Sequence, residues 1–211
     1  GSIGTISLRD INLVGDITIT GTVSQIQVND VFGPCTITIG APNSYRDSVT
    51  FRMRNVEELS IDSGTSIRSI SVANWADTDG LADNITAPSL GSLQVRANKR
   101  IANSGSFAAG LTLTGNILAG AKVKATLGSV RIGNALGNAD WNITGTVGAI
   151  SAAGTVDNWT LTTASDVRGL RLGQVISADL DVNGHIGRIQ AGRWGAGLIS
   201  ANTVGSITAH G

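Results

Sequence analysis

One pattern of apolar and polar positions recurs along the chain: an apolar residue, two small or polar residues, a second apolar residue, one polar residue and a third apolar residue. Its copies are Ile3/Ile6/Leu8, Val23/Ile26/Val28, Val56/Leu59/Ile61, Ile67/Ile70/Val72 and Leu90/Leu93/Val95, then Leu127/Val130/Ile132, Val147/Ile150/Ala152, Val167/Leu170/Leu172, Ile186/Ile189/Ala191 and Val204/Ile207/Ala209. In six of these ten copies glycine follows the first apolar residue (Gly4, Gly91, Gly128, Gly148, Gly187 and Gly205), which suits a corner where the chain turns sharply. From Leu127 onward the first apolar position returns after 20, 20, 19 and 18 residues, and the step from Ile3 to Val23 is also 20. The other steps, 33, 11, 23 and 37, imply irregular coils with inserted loops over 29–55 and 73–122.

A second strand precedes the motif. Ile17 and Ile19 stand before Val23, Trp141 and Ile143 before Val147, Leu180 and Val182 before Ile186, and Leu198 before Val204; Trp159 and Leu161 fit with two extra residues before Val167. Alternation of apolar and polar residues is the period of a half-buried strand, and no stretch sustains a helical period. A single repeat of ~20 residues cannot bury its own apolar face, whereas stacked repeats bury a continuous core and pair every strand with the next coil. The expected fold is therefore all-β: a right-handed parallel β-helix (β-solenoid) of about ten coils, ~20 residues per coil, as one domain over 1–211. Right-handed winding follows from the hand of parallel crossovers. At about 4.8 Å per coil the rod is on the order of 50 Å long. An all-β sandwich is the rival fold, but it gives no reason for one motif to recur with the same inward positions.

Composition narrows the picture. Hydrophobic residues make up 41% of the 211 and charged residues only 14%, so the chain has the apolar content to fold. Aromatics are 4%, which leaves the core to Ile, Val, Leu and Ala. Fifteen Lys plus Arg balance fifteen Asp plus Glu, and a neutral chain carries no overall electrostatic attraction for nucleic acid or an anionic membrane. Cys35 is the single cysteine, which excludes an intramolecular disulfide and a cysteine metal cluster. No stretch reaches the ~18–20 apolar residues of a membrane-spanning helix. The chain begins inside a repeat, so it reads as a fragment of a longer array.

Several segments carry a resemblance. Trp141-Asn-Ile-Thr-Gly-Thr-Val147, Gly154-Thr-Val-Asp-Asn-Trp159, Leu170-Arg-Leu-Gly173, Gly192-Arg-Trp-Gly-Ala-Gly197 and Val204-Gly-Ser-Ile207 are similar to the repeat regions of very large secreted or cell-surface β-solenoid proteins of environmental bacteria, of the planctomycete type. Trp75-Ala-Asp-Thr-Asp-Gly80, Ala87-Pro-Ser-Leu-Gly-Ser-Leu93 and Phe107-Ala-Ala-Gly-Leu-Thr-Leu-Thr-Gly115 resemble them too. The resemblance covers about two thirds of the chain, and 29–54 departs from it. It implies an extracellular or cell-surface location within a longer array. It brings no activity and no site residues.

The sharpest chemical cluster is Asp77-Thr-Asp79-Gly80-Leu-Ala-Asp83. Three carboxylates around a glycine turn offer oxygen ligands to Ca²⁺, although the spacing is not that of an EF-hand; a polar turn is the alternative. Trp75, Trp141, Trp159 and Trp194 offer either a stacking platform for sugar rings or core residues, and their periodic placement favours the core. Glycoside cleavage needs two carboxyls flanking one bond. The adjacent Glu57 and Glu58 should point to opposite faces of a strand, and Asp179 and Asp181 should share an outward face, so neither pair makes an evident dyad. His185 sits in a turn and His210 near the end, without a metal-ligand pattern. Cys35 reads as a buried thiol, and Arg96, Lys99 and Arg100 as a solvated basic loop. Asn84, Asn142 and Asn158 head Asn-X-Thr acceptor patterns, which the repeat alone accounts for. Outward threonines such as Thr18, Thr20, Thr112 and Thr114 suggest ordered rows, but the rows lapse at Asp181, Asn183, Ser200 and Asn202.

No catalytic, cofactor or metal residue is assigned from the sequence. The expected function is a non-catalytic structural or adhesive module of a large extracellular or cell-surface protein, partnered by neighbouring repeats. The alternatives are a polysaccharide-binding or polysaccharide-cleaving β-helix, with a groove near 29–48 or 75–84, and a self-assembling fibre subunit. No nucleic acid partner and no membrane insertion are expected.

Overall fold

The computed structural model describes residues 1–97, 105–121 and 125–210. They form a parallel β-solenoid of about ten turns with about 20 residues per turn. Every paired strand runs parallel to its neighbour, and each coil pairs with the coil before and the coil after. Each complete coil presents three faces.

Face A carries the six-residue motif, in strands such as Ser2–Leu8, Thr22–Val28, Val49–Arg52, Ile67–Val72, Leu90–Val95 and Leu127–Ile132. Its central row runs Ile26, Phe51, Ile70, Leu93, Val130, Ile150, Leu170 and Ile189, one residue per coil. Face B is narrow and contributes one row: Leu13, Val31, Val56, Trp75, Phe107, Leu136, Val156, Val175 and Trp194. Face C carries the row Ile17, Ile37, Ile61, Ile85, Leu111, Trp141, Leu161, Leu180 and Ile199. In the later coils one strand runs round the corners, as in Val147–Thr163 and Val167–Ile186.

The three rows meet in one continuous core. Its residues between coils 2 and 8 are almost entirely out of water, and the largest include Trp75, Trp141, Trp159, Phe51 and Phe107. Burying each such side chain contributes about 1.5–3 kcal/mol, which a single exposed coil could not gain. An aromatic ladder fills the middle of the stack: Trp75 to Phe107, Phe107 to Trp141 and Trp141 to Trp159 lie edge to face at centroid distances of 5.5, 6.2 and 5.3 Å.

Coil 3 corrects the motif assignment. Leu59 and Ile61 pair with Cys35 and Ile37 on face C, and Val56 belongs to face B. The face A segment of that coil is Val49, Phe51 and Met53; its register shifts between Val49 and Thr50, because one residue is missing from the motif. The false copy and the missed copy offset one another, so the count of ten stands. The irregular steps over 29–55 narrow to the insert 40–48 at the corner from face C to face A, since Asp30–Val31 and Cys35–Ile39 are regular strands. The other inserts lie at 76–83, between faces B and C of coil 4, and at the corners after Val95 and after Leu113.

Two strand assignments also shift. Trp141 pairs with Leu161, and Trp159 sits one inward position earlier, between Ala139 and Ala178. The six-residue offset from Trp141 to Val147 is thereby kept from Leu161 to Val167, with no extra residues. Leu198 is exposed, and Ile199 takes the slot beside Leu180 because the register shifts between Val182 and His185.

Candidate functional site

Among the described residues a depression follows the corner between faces C and A. It measures about 710 Å³ and is lined by Tyr45 and Ser48 of the insert 40–48 and by Arg68 and Arg168. Its floor is glycine: Gly91, Gly128 and Gly148 occupy successive coils. A Cβ on these residues would stand 2.6, 2.1 and 1.6 Å from the carbonyl oxygens of Arg68, Gly91 and Gly128. Close approach of stacked coils therefore fixes these glycines. None of the three has a positive φ, so the sharp-turn reason expected from the sequence does not apply. Tyr45 is exposed, and the Arg46 guanidinium lies 5.4 Å from its ring centre.

The second candidate is the insert 76–83. Glu58 is buried at the base of this loop, and its Oε1 accepts from the backbone N–H groups of Thr78 and Asp79 and from the Thr78 hydroxyl. Asp77 accepts from the Gly80 N–H and Asp79 from the Leu81 N–H, each at 2.7 Å. Carboxylate oxygens of Glu58, Asp77 and Asp79 lie within 4.8 Å of one another, and this is the set that could offer oxygen to a hard cation. Asp83, expected in that set, instead turns inward and accepts from Trp75 Nε1 at 2.9 Å. Burial pushes the Asp83 carboxyl up to about 6. Glu58 was missed because it follows Glu57 in sequence; the signal lay in its spacing, two residues after the inward Val56.

The tryptophans are core, not a sugar platform: Trp75, Trp141 and Trp159 are fully buried and Trp194 is half-buried. Asp179 and Asp181 do share the outward side of face C; Asp179 accepts from the Leu198 N–H at 2.8 Å. Glu57 and Glu58 diverge at the corner, the first half-buried and the second buried. Cys35 is buried, and that burial raises its thiol pKa. His185 is exposed, with Nδ1 2.8 Å from Thr203 Oγ1, and His210 is exposed near the end. Arg96 is exposed, while Lys99 and Arg100 lie outside the described residues. Asn142 and Asn158 are exposed, and Asn84 is half-buried, bonding Thr86 and Thr112. Threonine recurs along one outward row of face C, which runs Thr18, Thr38, Asp62, Thr86, Thr112, Asn142, Thr162, Asp181 and Ser200.

Neutrality of the whole chain conceals a segregation of charge. The face A motif segments carry Arg52, Arg68, Arg131, Arg168, Arg171 and Arg188, all exposed, and no Asp or Glu. The face C strands carry Asp62, Asp140, Asp179 and Asp181, also exposed, and no Lys or Arg. Among the described residues the one salt bridge is Arg54 with Asp30, on face B; it holds the Asp30 carboxyl below the usual aspartate range. The chain matches no protein family, no curated protein and no solved structure.

Proposed function

We propose that this chain is a non-catalytic structural or adhesive module, one segment of the repeat array of a large secreted or cell-surface β-solenoid protein of environmental bacteria. The observation that carries this reading is the continuity of the stack, which the local register shifts at Val49/Thr50, Ala152/Thr155 and Val182/His185 do not interrupt. Hydrogen-bonded strands link coil to coil from Ser2 to Ala209, over a buried core that runs from Leu13 to Ala191. Such a body is stiff along its axis and repeats the same side-chain positions on its faces, which suits spacing and multivalent attachment. The insert 76–83 supports the same reading, because its carboxylates spend oxygens on shaping their own loop.

The polysaccharide-binding alternative is favoured by one feature, the 710 Å³ corner groove with exposed Tyr45 in its lining. A single experiment separates these readings. The purified chain is incubated with a panel of neutral and acidic polysaccharides, and retention is followed together with release of reducing or unsaturated ends. The module reading expects no products. Retention that is lost in Tyr45→Ala moves the assignment to the groove, and release of products overturns the non-catalytic reading.

A further inference from the structure

One arginine row of face A and the carboxylates of face C, which occupy two adjacent outward rows, stand at matching heights. On face A the outward residues between the second and third motif positions form one straight row: Gln27, Arg52, Ser71, Gln94, Arg131, Ser151, Arg171 and Gln190. Its arginines fall in coils 3, 6 and 8 of the stack. The carboxylates of face C fall in the same three coils: Asp62 in coil 3, Asp140 in coil 6, and Asp179 with Asp181 in coil 8. Within one molecule these groups lie on different faces, and among the described residues none of them forms a salt bridge. Asp140 and Asp179 each use one oxygen locally, accepting from Thr160 Oγ1 at 2.6 Å and from the Leu198 N–H at 2.8 Å, and both residues are exposed.

We propose that a second copy of this chain docks side by side with the first, coils level and axes pointing the same way, with the acidic face C of one copy on the basic face A of the other. Level stacking sets Arg52 opposite Asp62, Arg131 opposite Asp140, and Arg171 opposite Asp179 and Asp181. Within this row the residues between the arginines are small or neutral, Ser71, Gln94 and Ser151, while Arg68, Arg168 and Arg188 flank it on the same face; packed sheets usually lie about 10 Å apart. A face about 48 Å long and about 18 Å wide offers on the order of 900 Å² per copy, the size of a standard specific interface. Each copy uses a different face on each side, so the contact is heterologous and a pair leaves one face A and one face C free; assembly continues past the dimer. This inference rests on the structural reading above and names its partner.

The test is sedimentation velocity of the full chain over a concentration series, at about 20 mM and about 500 mM salt, which bracket strong and weak screening. At low salt the weight-average sedimentation coefficient rises with concentration without levelling at a dimer, and high salt abolishes the rise. Arg131→Glu and Asp140→Arg each weaken association at least about tenfold, since each sets like charges opposite one another. The double variant Arg131→Glu/Asp140→Arg restores it, and so does Arg171→Glu/Asp181→Arg relative to its single variants. All four positions are exposed, and thermal melts matching the parent confirm that the variants fold. A strictly monomeric chain at low salt, or single variants without a rescuing double, overturns the proposal. A monomer retained by acidic polysaccharide through these arginines also overturns it and gives face A to that ligand. Each outcome is read apart from product release in the polysaccharide panel, which alone decides the non-catalytic reading.

Discussion

A Cβ added to Gly148 would stand 1.6 Å from the carbonyl oxygen of Gly128 in the preceding coil. No side-chain rotation relieves that clash, because both groups are backbone. Gly148→Ala is therefore expected to cost at least about 1–3 kcal/mol, the usual range for overpacking, with strand separation adding to it. Gly4 holds the same motif position in coil 1 and has nothing within 4 Å of its added Cβ. Gly4→Ala should leave the melting temperature almost unchanged. Equal losses for the two variants would show that glycine acts there through conformation and not through close stacking.

Trp141 and Trp159 share the core but not the same hydrogen-bonding state. Trp141 Nε1 donates to the Ala109 carbonyl at 3.1 Å, while the buried Trp159 Nε1 has no partner among the described residues. Phenylalanine at position 141 deletes a bond and strands an acceptor; at position 159 it deletes an unsatisfied donor. Trp141→Phe should cost about 1–2 kcal/mol more than Trp159→Phe in denaturant unfolding, the worth of one buried bond and its orphaned partner. The reverse order would refute the assignment of these two indoles.

Asp83 gives the acid limb of stability an unusual sign. Its carboxyl pKa is raised from 3.8 to about 6 by burial, so the folded chain holds a proton that the unfolded chain has released in that interval. The contribution of this group is greatest below pH 3.8 and is lost as pH rises through about 6. The total change is on the order of 1–3 kcal/mol. Asp83→Asn keeps an acceptor for Trp75 Nε1 and removes the charge. It should be more stable than the parent at pH 7, with the gap closing towards pH 4. A variant that loses stability at pH 7 would contradict this account.

Ile150 sits in the central row of face A between Val130 and Leu170 and is 1% exposed. Ile150→Asp places an unpaired charge in the middle of the stack. The loss should exceed about 4 kcal/mol, enough to abolish a cooperative melt or bring it near room temperature. Ala149→Asp, one residue away and exposed, is the matched control and should change the melt little.

Much of this architecture was legible as periodicity. The face A rows from Leu127 to Ala209 follow the motif residue for residue, because each coil there has nearly constant length. Reading failed where length and periodicity parted. Val56, Leu59 and Ile61 reproduce the motif spacing while straddling faces B and C, and Val49, Phe51 and Met53 lose it through one missing residue. Face B as a separate face was not legible, although Trp75 and Trp194 read as core: one inward residue per coil, such as Val31 or Leu136, has no period inside its own strand. Glu58 shows the same limit for the candidate site, since its partners at Thr78 and Asp79 lie a full coil away in sequence.

The sequence by itself determined that the chain folds as a stacked parallel solenoid, because apolar residues repeating once per coil can be buried only against copies of themselves. It also placed most of the core and showed where inserts interrupt the stack. Tertiary structure alone decided which insert meets which corner, why the motif glycines are glycine, and how charge is distributed. Composition counts charges without position, and their sum here is zero. Winding the chain into three faces sorts the arginines onto face A and the aspartates onto face C, at heights set by coil number and not by sequence distance.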